Sequence, residues 1–320
     1  MAAVPEARAP DLVDLWQVRA HELEPMLREE IRTWRELLAW DFRASADLVR
    51  RFIEVHALNG FALVAGEEAV GYAYYVCEDH KGLIGDLFLR QEYRTPENER
   101  RLLAAVIDQL THTRGVRRIE SQLMLSRTGN LRALPAAAHV HAYERNFMMY
   151  DLARPPLDER QMSRVVFDLW TERRQDEAAQ LIASAYRGHI DGEINDQYRS
   201  ASGARRFLFN IVQYPGCGNF FQPASWIAAD RQGGRLCGVS LTSMVAEDSG
   251  HVTQICTAPG VRGTGVGYEL LRRSLNSLAA AGAKQVSLTV TAANENAVRL
   301  YKNVGFEILK QFPAFVWDGF

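Results

Sequence analysis

At 320 residues, with 47% hydrophobic and 24% charged positions, the chain reads as an ordinary globular sequence long enough for two domains. A formal net charge of −2 gives no electrostatic basis for a nucleic-acid or anionic-membrane partner. No apolar run reaches the length of a membrane span and residues 1–10 lack a secretory core, so the expected location is cytoplasmic.

Residues 11–58 read as helix-rich, with Trp16, Leu23, Leu27, Ile31, Trp34, Leu37 and Leu38 as core positions. Two β-type runs at 61–65 and 70–77 flank Gly66-Glu67-Glu68 and predict a hairpin. An amphipathic helix carrying Leu102, Leu103, Ile107 and Leu110 follows Arg94. Arg154-Pro155-Pro156 is the natural linker, because consecutive prolines stiffen and extend the chain.

Beyond it, a strand is expected at 165–170, a helix at 176–186 and a polar loop at 187–196. A second helix at 197–213, a loop at 214–219 and a hairpin of 225–229 with 236–245 come next. The strand at 252–257 is stopped by Pro259-Gly260. A helix with Leu270, Leu271, Leu275 and Leu278 ends at Gly282, and a last strand at 285–291 leads to a helix from Asn294. The four cysteines, at 77, 217, 237 and 256, lack metal-type spacing, so free thiols and no metal are expected.

The two halves repeat. Arg94, Leu102, Ile107 and Leu110 stand 168 residues before Arg262, Leu270, Leu275 and Leu278. Gly71 and Gly115 precede Gly238 and Gly282 by 167. A near-constant offset through strand, turn and helix argues for two copies of one fold. The copies differ between strand and helix. The second has Arg262-Gly263-Thr264-Gly265-Val266-Gly267, and the first has Thr95, Glu97 and Glu99 in place of the glycines. Glycines allow close backbone approach, and free N–H groups at a helix N-terminus favour a phosphate or diphosphate; two carboxylates would repel one. The loop lacks the Gly-Lys-Ser/Thr ending of a Walker loop and the glycine spacing of a dinucleotide fold.

Arg262-x-x-Gly265-x-Gly267 resembles the acetyl-CoA signature of the GNAT acyltransferase superfamily. That family's second pattern follows as Asn294-x-x-Ala297-x-x-Leu300-Tyr301-x-x-x-Gly305-Phe306. The resemblance implies an α/β (α+β) fold of two tandem GNAT-like domains, each a mixed, mostly antiparallel central sheet flanked by helices. A degenerate, structural copy would occupy 1–156 and the acetyltransferase domain 157–320. A silent copy before an intact one is similar to the layout of the mycothiol synthase family of small-molecule acetyltransferases.

The resemblance also implies the chemistry. Acetyl-CoA would be held by the backbone of Ile255, Cys256 and Thr257, by the loop from Arg262 to Gly267 including Thr264 and Val266, and by Asn294 and Asn296. Tyr301 would protonate the departing thiolate. Many members carry a glutamate base on the fourth strand, and this chain does not. His251, at the start of that strand, is the candidate base, with a water chain as alternative. The loop at 187–198 stands where the family binds its acceptor, and Asp191 and Glu193 are the expected contacts for an ammonium. Cys256 has no histidine partner in the sequence, so direct transfer is expected rather than an acyl-enzyme. The expected activity is N-acetylation of a primary amine on a small molecule, by a monomer or homodimer. A protein amine (N-terminal or lysine) and a non-catalytic acyl-CoA sensor are the alternatives.

Overall fold

The computed structural model describes residues 9–126, 134–214 and 216–320. They form two compact units, one taking the chain as far as Tyr143 together with Phe312–Phe320, the other Glu144–Gln311.

The first unit contains β1 (Asp11–Asp14), α1 (Ala20–Leu38), α2 (Arg43–Glu54), β2 (Asn59–Ala65), β3 (Glu68–Glu78), β4 (Lys81–Leu89), α3 (Pro96–His112) and β5 (Arg118–Gln122). β1 to β4 pair antiparallel in sequence order, and β4 then pairs parallel with β5. Two details correct the sequence reading of the first helical stretch. Residues 11–14 are a strand, and Trp16 and Leu37 are exposed, while Leu23, Leu27, Trp34 and Leu38 are buried as expected.

Strand β6 (Val140–Asp151) leads into the second unit, which continues as β7 (Val165–Leu169), α4 (Gln175–Ala185), α5 (Ile190–Ile194), α6 (Ala201–Gln213), β8 (Asn219–Phe220), β9 (Trp226–Asp230), β10 (Leu236–Ala246), β11 (Ser249–Thr257), α7 (Val266–Ala280), β12 (Gln285–Thr291) and α8 (Glu295–Val304). The chain ends in β13 (Glu307–Asp318). β7, β9, β10 and β11 are antiparallel neighbours, and β11 pairs parallel with β12.

The closing strands are exchanged. Residues 145–151 of β6 pair antiparallel with β12, and residues 314–318 of β13 pair antiparallel with β5. Each unit is thus completed by a strand from the other half of the sequence. The units therefore part at 143/144, and not at the prolines of the expected 156/157 division.

The 168-residue offset survives in the hydrogen-bond registers. β11 pairs with β12 only from Ser249 to Val252, and β4 pairs with β5 only from Lys81 to Ile84. In each copy one extra residue, Thr253 or Gly85, interrupts the ladder to the preceding strand, where the register shifts. A bulge there bends the strand and turns its second half away from the parallel neighbour. Helix seating repeats as well. A Cβ on Gly250 would lie 2.8 Å from Leu278 and one on Gly82 2.6 Å from Leu110, so both strands need glycine where the leucine packs. Among the described residues no helix is long and apolar enough to cross a membrane, and all four cysteines are free.

The first unit buries an acid pair. Glu30 of α1 and Asp86 of β4 interact beneath Tyr72, whose hydroxyl donates to Glu30 Oε2 at 3.1 Å. Burial raises both carboxyl pKa values, and for Glu30 the neighbouring Asp86 charge raises it further. A raised acid favours the folded state most below its ordinary value, here 4.5 for Glu30 and 3.8 for Asp86, and that contribution is lost as pH rises through the raised values. Urea midpoints should therefore fall from pH 5 to pH 8, and Glu30→Gln should flatten the fall. An unchanged slope in the variant would show that another group sets it.

Candidate active site

The bulge at Thr253 determines what the second unit offers a ligand. Residues 255–257 pair with β10 on one side, and on the β12 side the ladder has already ended at Val252. Ile255, Cys256 and Thr257 also line a cavity of about 690 Å³. An open strand edge supplies fixed N–H donors and C=O acceptors to an amide-bearing chain.

The glycine loop forms the next wall. Gly265 is the N-cap of α7 with φ 96°, a left-handed conformation that side chains rarely adopt. Arg262, Gly263, Gly265 and Gly267 line the cavity, while Arg262 Nη2 also donates to Ala185 O at 2.6 Å. The free N–H groups of the first turn of α7 and the arginine charge make this end suited to a diphosphate.

Helix α8 forms the opposite wall. Asn294 is its N-cap, with Oδ1 accepting from Ala297 N at 3.3 Å, and Asn294, Asn296 and Tyr301 all line the cavity. Two helical turns separate Asn294 from Tyr301, which is why both reach the same wall. Gly305 ends the helix at φ 113°, and buried Phe306 packs its ring 5.9 Å from that of Tyr301. The glycine and phenylalanine of the second pattern thus terminate the helix and support the tyrosine.

Tyr301 is buried, and burial raises its pKa; the Asp191 charge adds to the rise and Arg145 opposes it. Its phenol keeps its proton at neutral pH. Cys256 is pushed up to about 12, chiefly by burial, so it is a thiol rather than a nucleophilic thiolate.

Beyond Tyr301 lies an aromatic and polar cluster. The Tyr186 and Tyr198 rings stack at 4.5 Å, and Gln254 bridges their hydroxyls, donating to Tyr186 at 3.1 Å and accepting from Tyr198 at 3.3 Å. Arg145 donates to Asp191 at 3.3 Å, to Thr291 at 3.1 Å and to Thr289 at 3.2 Å, and Thr291 also donates to Asp191. Tyr186 and His189 line the cavity.

Five predicted residues lie away from the cavity wall. His251 is buried, stacked on Phe147, with Nδ1 at 2.8 Å from Ser287 Oγ; burial lowers its pKa to about 4. It is neutral at physiological pH because its strand is central, between β10 and β12. Asp191 is committed to Arg145 and Thr291, and Glu193 points to solvent, paired with Arg199 at 2.6 Å. Val266, the first residue of α7, is buried in a cluster with Ala228 and Cys237, and the Thr264 hydroxyl donates to Val261 O at 2.7 Å. Conversely, Arg160, Tyr186 and Tyr268 line the cavity without having been singled out for it. Tyr186 ends a predicted helix and could have been read as facing the polar loop, whereas Arg160 follows the linker prolines and carries no periodic signal.

Comparison with known proteins agrees with this geometry. The profile of the Acetyltransferase (GNAT) family matches residues 193–306. Mycothiol acetyltransferase of Thermobispora bispora is 31% identical over 253 residues, 76% of this chain and 78% of that protein. A solved GCN5-related N-acetyltransferase from Sphaerobacter thermophilus shares the fold with a TM-score of 0.68 at 14% identity, over 99% of this chain and 97% of that one. A tandem GNAT protein from the clavulanic acid biosynthesis pathway gives 0.61 at 14% identity, over 97% and 98%. With its open strand edge, glycine loop and relatives, this chain belongs to the acetyltransferase (GNAT) family and is a tandem GNAT-type N-acetyltransferase.

Proposed function

We propose that the second unit transfers the acetyl group of acetyl-CoA directly to the primary amine of a small molecule. One observation carries the reading: the unpaired edge at 255–257, the glycine loop and the protonated phenol of Tyr301 line a single cavity. The free edge suits the pantetheine arm, and one of its N–H groups polarises the thioester carbonyl. The amine nitrogen attacks that carbon, the C–S bond breaks, and Tyr301 gives its proton to the leaving sulfur. Tyr301 is reprotonated through water by the proton the nitrogen sheds.

Water carries that proton because, among the described residues, no carboxylate lines the cavity, and His251 lies outside it. His189 does line it, but its Nδ1 accepts from Asp191 N at 3.2 Å. With that nitrogen engaged, the ring has only Nε2 left to meet an acceptor. Asp191, held by Arg145 and Thr291, acts through its charge on Tyr301 and makes no direct acceptor contact, and Glu193 is paired with Arg199.

The acceptor class follows the relative's name, which makes the amine precursor of mycothiol the first compound to try. The test incubates the full chain with acetyl-CoA and a pool of amines containing that precursor, peptides with free N-termini and lysine peptides. Free CoA appearing one-for-one with an acetylated small amine is the expected result. Acetylation of peptides alone would move the acceptor to proteins, and donor binding without any product would leave an acyl-CoA sensor.

A further inference from the structure

We infer that the segment joining the two halves of the sequence is part of the donor site, and that Arg160 on it binds a phosphate of acetyl-CoA. The inference rests on the assignment of this cavity to acetyl-CoA. Residue 160 lies outside the stretch matched by the family profile, 193–306, so the motif itself says nothing about it.

The guanidinium sits over the glycine loop. A Cβ built on Gly265 would lie 3.4 Å from Arg160 Nη1, and Arg160 lines the same cavity as Arg262 and Gly267. Three ties hold it there. The Tyr268 ring lies 4.1 Å beneath the guanidinium carbon, the Tyr268 hydroxyl donates to Asp158 O at 2.9 Å, and Arg160 N–H donates to Glu269 Oε2 at 3.4 Å. Glu269 is fully buried and fixed by Arg272 at 2.7 Å and Arg273 at 2.8 Å.

Tyr268 and Glu269 belong to the first turn of α7, and Gly267 and Tyr268 of that turn line the cavity. The ties therefore fix the cation to the element that cradles the anion. Among the described residues, no carboxylate forms an ion pair with the Arg160 guanidinium, whereas Arg262 already spends one nitrogen on Ala185 O. A positioned cation without a counter-ion, beside free N–H donors, is a phosphate clamp. The shared chemistry is phosphate, supplied either by the diphosphate or by the 3′-phosphate of the donor.

The test titrates acetyl-CoA and dephospho-CoA into the full-length wild type, Arg160→Ala and Arg160→Gln by calorimetry, at two salt concentrations. Arg160 is exposed, so apo melting temperatures should match. No binding by the wild type would sink the donor assignment itself. Given wild-type binding, both variants should bind acetyl-CoA about tenfold more weakly, with a shallower salt dependence. An equal loss with dephospho-CoA assigns the clamp to the diphosphate, and a loss confined to acetyl-CoA assigns it to the 3′-phosphate. Wild-type affinity and salt slope in both variants would overturn the inference.

Discussion

Tyr301→Phe should lower turnover on the order of a hundredfold while leaving acetyl-CoA affinity nearly unchanged. The substitution keeps the ring that packs on Phe306 at 5.9 Å and removes only the hydroxyl. What is lost is the proton for the departing thiolate, which is needed in the transition state and not in the donor complex. The raised pKa of Tyr301 fixes the sign of the pH effect: the acid form persists to higher pH than in an ordinary tyrosine. Wild-type activity should therefore hold through the neutral and mildly alkaline range. Steady-state kinetics with the acceptor found in the screen, beside donor calorimetry, measures both effects. Equal turnover in variant and wild type would reassign the acid.

Gly265→Asp should weaken acetyl-CoA binding by more than about a hundredfold. Three costs fall at this one position. The φ of 96° strains any side chain, the added carboxylate meets the donor's phosphates, and it stands within reach of Arg160 and cancels that charge. Gly265→Ala separates the terms, since it carries the strain alone and should lose much less. Calorimetry on both variants decides. Wild-type affinity in the aspartate variant would place the diphosphate elsewhere.

What could be read from the chain was local. Arg262, Gly265, Gly267, Asn294 and Tyr301 are tied to one turn and two helices, and the structure brings all five to one cavity. The leucine and glycine offsets were legible too: Leu110 and Leu278 make the same close contact with a strand, and Gly115 and Gly282 both take a left-handed φ, 93° and 91°. The exchange of β6 and β13 was not, because each strand carries a pattern that fits either neighbour, and only tertiary pairing selects it. His251 misled for a related reason: its intrinsic chemistry suits a base, but parallel pairing with β12 seals it against Ser287. Charged residues could not be placed without partners distant in sequence. Asp191 is taken by Arg145, which comes from 46 residues earlier, and Arg160 is placed by Tyr268 from 108 residues later.

A single donor site, in the second unit, is expected. The first copy has Thr95 at the N-cap of α3 and Pro96, Glu97 and Glu99 in its first turn, where the carboxylates disfavour a diphosphate. Titration of acetyl-CoA into the full-length chain should give a stoichiometry of about one, with a melting temperature that rises with donor concentration. Two equivalent sites per chain, or no binding at all, would contradict it.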